Sequence, residues 1–472
     1  MTHWLWLLTF CILISQPWRT IMVSADGDTL MHWRVGEWML EHGRIVTTDT
    51  FSHTHTGERV ISKDWLAEIL FALAGRAAGL FGLAAVAAGV IATTLALLHR
   101  QLLRAGNDLL LATAVTLLAA WAANIHWLAR PHVFTFLFVL LWHAELLRFE
   151  RSRQATRLMV SLTGLMLLWV NLHGAFLVGF ALLGTYWLGA ALERDGAKLR
   201  VLTWTGLLCS VASLANPNGY RLHWHNLSFL RSHYLTNWLA EHASTNFHSV
   251  GALGFLAWLA AFLLTLALAR PQWTPTAGLI FVSWFYFALM SARNIPLLAL
   301  VTAPMLVTIW TSRPPGRWRE LANRLGRMGA TSRAGPLVLA AAVAIMVVIP
   351  KSIALPAQDW PIQAVEFIRA NPAQFTGKMF NQYMWGGYLM WYLPEHKTFV
   401  DGRTDFFGET GIREFSQVTA VGPDWDEPLT KRNVQWVLMP ASHRLNLALG
   451  LQPAQWRCLY SDATAKVWSK RE

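Results

Sequence analysis

The sequence predicts an α-helical polytopic membrane protein of about eleven transmembrane helices, followed by a small C-terminal extracytoplasmic α/β domain. Three observations predict it. The 472 residues are 54% hydrophobic and 14% charged, well below the roughly 25% charge of soluble proteins. Long apolar runs recur, separated by short arginine-bearing loops. From about Pro356 the chain turns soluble in character, with strand and helix signals alternating.

Taken in order, the expected spans are 4–24, 79–98, 108–126, 133–147, 158–171, 175–192, 201–215, 251–269, 276–291, 295–311 and 335–350. Segment 158–192 also reads as one kinked hairpin. Residues 4–23 have signal-peptide features, with Val23-Ser24-Ala25 as a cleavage site. No Lys or Arg precedes the apolar run, however, and Gln16-Pro17-Trp18-Arg19 interrupts it, so an uncleaved span is expected. The net charge of +12 does not point to nucleic acid, because topology explains many of the arginines. The 26 tryptophans suit a protein with two membrane interfaces. Cys11, Cys209 and Cys458 offer no disulfide framework.

With the N-terminus in the cytoplasm, the short loops bearing Arg100, Arg148, Arg151, Arg194 and Arg200 fall inside, as does the basic loop Arg313–Arg333. The segments around Asp26, Arg130, His173, Asn216 and Arg293 then fall outside. A bacterial inner-membrane protein with a periplasmic or extracellular C-terminal domain is expected. Two domains follow: 1–355, including an outer loop at 25–65, and 356–472. In the second, helices are expected at 360–370, 386–393, 409–418 and 425–431, and strands at 377–380, 397–400, 434–439 and 465–468.

The outer loop opens on Asp26-Gly27-Asp28. Carboxylates beside a bilayer are costly unless solvated, paired or used. One of them could act as a general base toward an acceptor hydroxyl, or the pair could hold a divalent cation. The competing reading is that they cap the helix expected at 29–42. His32 lies one turn beyond Asp28 and could orient a carboxylate or touch a phosphate. Asp49, His53 and His55 are metal-ligand types, but their spacing matches no closed site. Arg130, His132, Arg293 and Asn294 stand at outer span ends, against the positive-inside bias. A guanidinium fork there suits an anionic head group or pyrophosphate, and an internal ion pair is the alternative. His173 sits at a span end beside Gly174. Asn171 and Asn216-Pro217-Asn218-Gly219 read as turn chemistry. Asp401 and Arg403 follow an expected strand, where they could serve a site or pair with each other.

These residues resemble a known class. A first span entering a large outer loop, an acidic pair at its start, many spans and an extracytoplasmic terminal domain look like the polytopic GT-C glycosyltransferases. That class includes protein O-mannosyltransferases, lipid A aminoarabinose transferases and oligosaccharyltransferases. Asp28 with His32-Trp33, Asp49 with Phe51-Ser52, Asn171–Gly174, Asn216–Gly219 and Asp401–Arg403 also resemble motifs of a group of bacterial membrane proteins, over nearly the whole chain.

The resemblance implies transfer of a sugar from a polyprenyl-phosphate donor to a glycan, lipid or protein acceptor at the outer membrane face. Asp26 or Asp28 is then the base, and Arg130 and Arg293 are phosphate contacts. His32, Asp49, His132, His173, Asn294, Asp401 and Arg403 are expected on the substrate side. The cavity is expected between the 25–65 loop and the span ends. No cofactor is required by this chemistry, although a divalent cation would be compatible. A flippase for lipid-linked sugars and a non-catalytic envelope-polysaccharide assembly protein are the rival functions.

Overall fold

The computed structural model describes residues 2–269, 271–312 and 335–471. The basic loop expected at Arg313–Arg333 lies outside them. Contacts divide the chain into two compact units. The first comprises Met1–Trp18, Ala85–Tyr220 and Leu239–Pro350, and the second Arg19–Ala84, Arg221–Trp238 and Lys351–Glu472. The outer loop expected at 25–65 therefore belongs to the same unit as the C-terminal layer.

The first unit is helical. Leu109–Ala123 packs on Leu253–Ala269 and Ile295–Thr311, and Pro275–Met290 packs on Leu177–Leu192 and Ile295–Thr311. Ala155–Leu172 lies against both His132–Ser152 and Gly196–Ala212. Trp142, Trp169, Trp258 and Trp284 fill the interior. Leucines such as Leu168, Leu207, Leu263 and Leu264 point outward, as lipid-facing side chains can, because hydrocarbon solvates them.

Among the described residues seven helices are long and apolar enough to cross a membrane, or eight if the bent pair Thr2–Ile14 and Trp18–Ser24 counts as one span. Pro275–Met290 and Pro336–Val348 are shorter apolar helices. The expected count of eleven is thus not reached among the described residues. Gly196–Ala212, expected as a span at 201–215, has 17 residues and carries Lys198 and Arg200 near its start. The expected first span is bent by 66° around residues 15–17, where Gln16-Pro17 interrupts the apolar run. Segment 158–192 is two helices, Ala155–Leu172 and Leu177–Leu192, rather than one. In Trp65–Gly106 the helix breaks at Ala78 and Gly79. Gly79 adopts φ +59°, a conformation that glycine takes readily, and the break falls at the start of the span expected at 79–98.

The second unit holds a four-stranded sheet in the order β1-β2-β4-β3, with β1 Lys378–Asn381, β2 Val434–Pro440, β3 Trp456–Ser461 and β4 Ala465–Lys470. β1 and β2 are parallel, and the other pairs are antiparallel. The four expected helices are found at Ile362–Ala370, Gly386–Tyr392, Thr404–Ala420 and Glu427–Lys431. The expected strand at 397–400 is not in the sheet. Thr398 makes an isolated bridge with Ser52 instead. β3 and the helix Leu445–Gly450 were not expected; the exposed charged and polar residues of β3 obscure its alternation. Phe380, Phe399, Phe415, Val437 and Trp456 form much of the core.

Segment 398–400 is held by one buried side chain. Asn381 accepts the Phe399 N–H at 2.8 Å and donates to the Val400 carbonyl at 2.9 Å. The outer loop closes over the same place. Thr398 N–H donates to the Phe51 carbonyl at 3.1 Å, and His53 N–H donates back to the Thr398 carbonyl at 3.0 Å. Asn381→Ala should leave a buried N–H and a buried carbonyl unpaired, at a cost of about 1–3 kcal/mol. A lower melting temperature of the detergent-purified protein, with faster hydrogen exchange at 398–400, is the expected result.

Candidate active site

The acidic opening of the outer loop sits at a helix start. Asp28–His42 begins at Asp28, and the Asp26 carboxylate accepts the Asp28 N–H at 2.9 Å. Asp26 therefore supports the helix N-terminus, and both carboxylates are half-buried. Asp28–His42 packs on Gly386–Tyr392. Two glycines make the approach possible. A Cβ on Gly402 would stand 2.0 Å from Asp28 Oδ1, and one on Gly387 would stand 2.2 Å from the Gly27 carbonyl oxygen. The Asp-Gly-Asp and Asp-Gly-Arg segments, 374 residues apart, thus meet directly. Deeper along the helix, His32 Nδ1 lies 2.9 Å from Glu68 Oε1, and both groups are buried.

Asp49, Asp401 and Arg403 come together as a closed ion triad. Arg403 Nε and Nη2 donate to the two oxygens of Asp401 at 2.8 and 2.6 Å, and Nη1 donates to Asp49 Oδ1 at 2.7 Å. The second Asp49 oxygen accepts the Ser52 hydroxyl and N–H at 2.6 and 3.0 Å. The guanidinium carbon lies 5.2 Å from the Phe51 ring centre, 4.9 Å from Phe406 and 5.7 Å from Phe407. Burial alone would weaken the Arg403 cation, but Asp401 and then Asp49 outweigh it and raise its pKa further.

A second ionic knot lies beside it. Asp405 Oδ2 lies 2.6 Å from Lys63 and accepts from His225 Nε2 at 2.7 Å. Burial opposes the Asp405 charge, yet Lys63 and His225 hold its pKa well below the usual carboxylate range. His53 donates from Nε2 to the Met379 carbonyl at 2.8 Å, and burial pushes its pKa down to about 4. Neither His53 nor His55 belongs to a ligand set. Among the described residues no three His, Cys, Asp or Glu side chains converge as a metal site. Among the described residues the Asp26–Asp28 pair is not part of such a group either.

In the first unit, Arg130 and Arg293 share one acid. Arg293 Nη1 donates to Glu241 Oε1 at 3.1 Å, and Arg130 Nη1 lies 3.5 Å from Glu241 Oε2. Burial would raise the Glu241 pKa, but Arg293 and Arg130 carry it below the carboxylate range. Arg293 also lies 3.2 Å from His242 Nε2. His132 donates to the His126 carbonyl at 2.7 Å, with the two rings 6.1 Å apart. This cluster gathers the guanidiniums of Arg130 and Arg293 and the imidazoles of His126 and His242 around the Glu241 carboxylate. His173 is buried, with Nδ1 2.7 Å from the Thr135 hydroxyl, which also accepts Trp169 Nε1. Asn294 donates to the Phe287 carbonyl at 3.0 Å. Asn171 and Asn216 close their turns with carbonyl contacts.

Sequence reasoning missed Glu241, Asp405, Lys63 and His225 as partners. His225 lies in the helix Tyr220–Arg231 and Glu241 in the short helical turn Ala240–His242, and each meets its partner only through the fold. Lys63 and Asp405 are 342 positions apart, so only the fold pairs them.

Solved structures of similar fold include those of the oligosaccharyltransferase AglB of the archaeon Archaeoglobus fulgidus, a GT-C-type membrane glycosyltransferase. The complex with an inhibitory peptide and a dolichol-phosphate matches with a TM-score of 0.62 at 11% identity, over 100% of this chain and 74% of that one. The form tethered to an acceptor peptide with an NVT sequon gives 0.57 at 12%, over 100% and 74%. The complex with zinc and sulfate gives 0.59 at 13%, over 93% and 68%. No family model and no curated protein matches the chain.

Two predictions follow from this geometry. Gly402→Ala should displace the Asp28 carboxylate and lower the melting temperature, whereas Gly422→Ala, where an added Cβ meets nothing, should not. His53 stays neutral in the fold down to about pH 4, while in the unfolded chain it takes a proton below about 6.5. Its contribution to stability is therefore complete above pH 6.5 and is lost as pH falls toward 4, by about 1.4 kcal/mol per pH unit. Melting temperatures measured across that range should fall more steeply for the parent than for His53→Gln.

Proposed function

We propose that the protein is a membrane glycosyltransferase that moves a sugar from a polyprenyl-phosphate donor to an acceptor at the outer face of a bacterial inner membrane. The observation that carries this reading is the acidic pair Asp26 and Asp28, seated at a helix start against Asp401-Gly402-Arg403 within a GT-C-type fold. One carboxylate accepts the proton of the acceptor nucleophile as it attacks the anomeric carbon, and the polyprenyl phosphate departs. Asp26 accepts the Asp28 N–H and supports the helix, and Asp28 lies against Gly402; either carboxylate is a candidate for the base. Arg130 and Arg293 are the proposed contacts for the departing phosphate, where a guanidinium fork offsets growing negative charge. Glu241 keeps the two guanidiniums oriented.

Asp49, Asp401 and Arg403 take a supporting part, since each satisfies the others. The dolichol-phosphate and the acceptor peptide bound to the archaeal enzyme support a lipid-phosphate donor and put peptides first among the acceptors to test. A mid-span pair, His143 Nε2 with the Tyr186 hydroxyl at 3.0 Å, is the feature that a flippase reading would use.

The test is sugar transfer by the purified protein, supplied with a mixed pool of polyprenyl-phosphate sugars and with peptide, glycan and lipid acceptors. Asp28→Asn should reduce transfer by about 10²-fold or more while the protein still melts cooperatively. Arg130→Gln and Arg293→Gln should raise the donor KM by about tenfold, the loss of one charge-assisted hydrogen bond. Unchanged transfer by Asp26→Asn and Asp28→Asn would remove both carboxylates from the mechanism.

A further inference from the structure

A cleft of about 500 Å³ opens in the first unit, between the helices Trp65–Gly106, His132–Ser152 and Ala155–Leu172. Arg100, Arg104, Arg148 and Arg151 line it against the single carboxylate of Glu145. That carboxylate is already shared by Arg148 and Arg157. Arg100, Arg104 and Arg151 make no ion pair among the described residues. The four guanidiniums thus leave a net of three positive charges on one small surface.

Gln101 adds an independent sign. Both atoms of its amide are buried, and neither has a hydrogen-bond partner. Buried polar atoms are nearly always satisfied, so an unpartnered amide in a cleft wall asks for a ligand. The rest of the wall is apolar: Leu97, Leu140, Leu141, Leu165 and Leu168. A Cβ added to Gly164, which also lines the cleft, would meet nothing.

The polarity is graded along the helices. Arg148 and Arg151 stand at the C-terminal end of His132–Ser152, and Arg100 and Arg104 at that of Trp65–Gly106. Leu140 and Gly164 lie farther along, toward the helix middles. From Leu140 to Arg151 the helix rises about 16 Å. Cationic at the helix ends and apolar toward the span centre, the cleft has the polarity of one lipid molecule with an anionic head. Basic pockets between transmembrane helices on the cytoplasmic side recognise such head groups, and the positive-inside pattern assigns these loops to that side.

We infer that this cleft is a binding site for one anionic glycerophospholipid. Its phosphodiester lies among Arg100, Arg104 and Arg151, its polar head reaches the Gln101 amide, and an acyl chain runs past Gly164. The site does not depend on the transfer reaction.

Native mass spectrometry of the full-length protein, released from micelles doped with defined lipids, tests it. The parent should retain one phosphatidylglycerol and no phosphatidylcholine. Occupancy should fall at least tenfold in the triple variant Arg100→Gln, Arg104→Gln, Arg151→Gln. Gly164→Leu leaves every charge in place but fills the groove, and should lose the lipid equally. The double variant Arg194→Gln, Arg200→Gln removes two exposed charges elsewhere in the same unit and should keep it. Equal retention of phosphatidylcholine, retention by the triple variant or by Gly164→Leu, or equal loss in the double variant would overturn the proposal. So would displacement of phosphatidylglycerol by equimolar polyprenyl phosphate or by millimolar inorganic phosphate.

Discussion

Arg403 is the side chain on which the second unit depends. Three of its N–H groups bond two buried carboxylates, Asp401 from the same turn and Asp49 from segment 25–65. Three phenyl rings surround it. A buried ion pair is weak evidence of net stability, because desolvation offsets most of the attraction. Its effect is selective. Only the loop segment that brings Asp49, with Ser52 satisfying the remaining oxygen, leaves no charge unpaired in that interior. Breaking such an arrangement by removing one member costs about 3–5 kcal/mol. The triad therefore fixes which loop closes over segment 398–403, and with it how the acid-bearing helix start meets Gly402.

The chain of consequence runs from this constraint to chemistry. With Asp49 locked, the backbone of 51–53 pairs with Thr398, and Thr54 donates to the Phe399 carbonyl at 2.8 Å. With 398–403 locked, the absent side chain of Gly402 leaves the space that the Asp28 carboxylate enters. Asp405, bound by Lys63 and His225, adds a second tie between the C-terminal helix Thr404–Ala420, the outer loop and the short helix Tyr220–Arg231. The proposed carboxylate chemistry at Asp28 thus rests on residues that bond to one another.

Much of the membrane part was legible because apolar runs near bilayer length are a strong signal. Legibility failed where length and composition part company. Gly196–Ala212 carries Lys198 and Arg200, and the first apolar run is bent rather than straight. In the terminal layer the buried strands β1, β2 and β4 were readable from their β-branched and aromatic residues. Lys397–Val400 has the same composition, but the Asn381 carboxamide takes the backbone groups that a neighbouring strand would have used. The acidic pair and the Asp-Gly-Arg segment could each be singled out in the sequence. Their contact could not, since it depends on a missing Cβ 374 positions away. Pairing of Arg130 and Arg293 through Glu241 was hidden for a like reason: the three residues are far apart in the sequence and only the fold joins them.

Hydrogen exchange, measured by mass spectrometry on the parent and on Arg403→Gln, tests the role of the triad most directly. The account predicts that segments 49–57 and 398–404 lose protection together in the variant, while Leu109–Ala123 and Ile295–Thr311 keep theirs. Loss confined to one of the two segments, or protection unchanged in both, would contradict it.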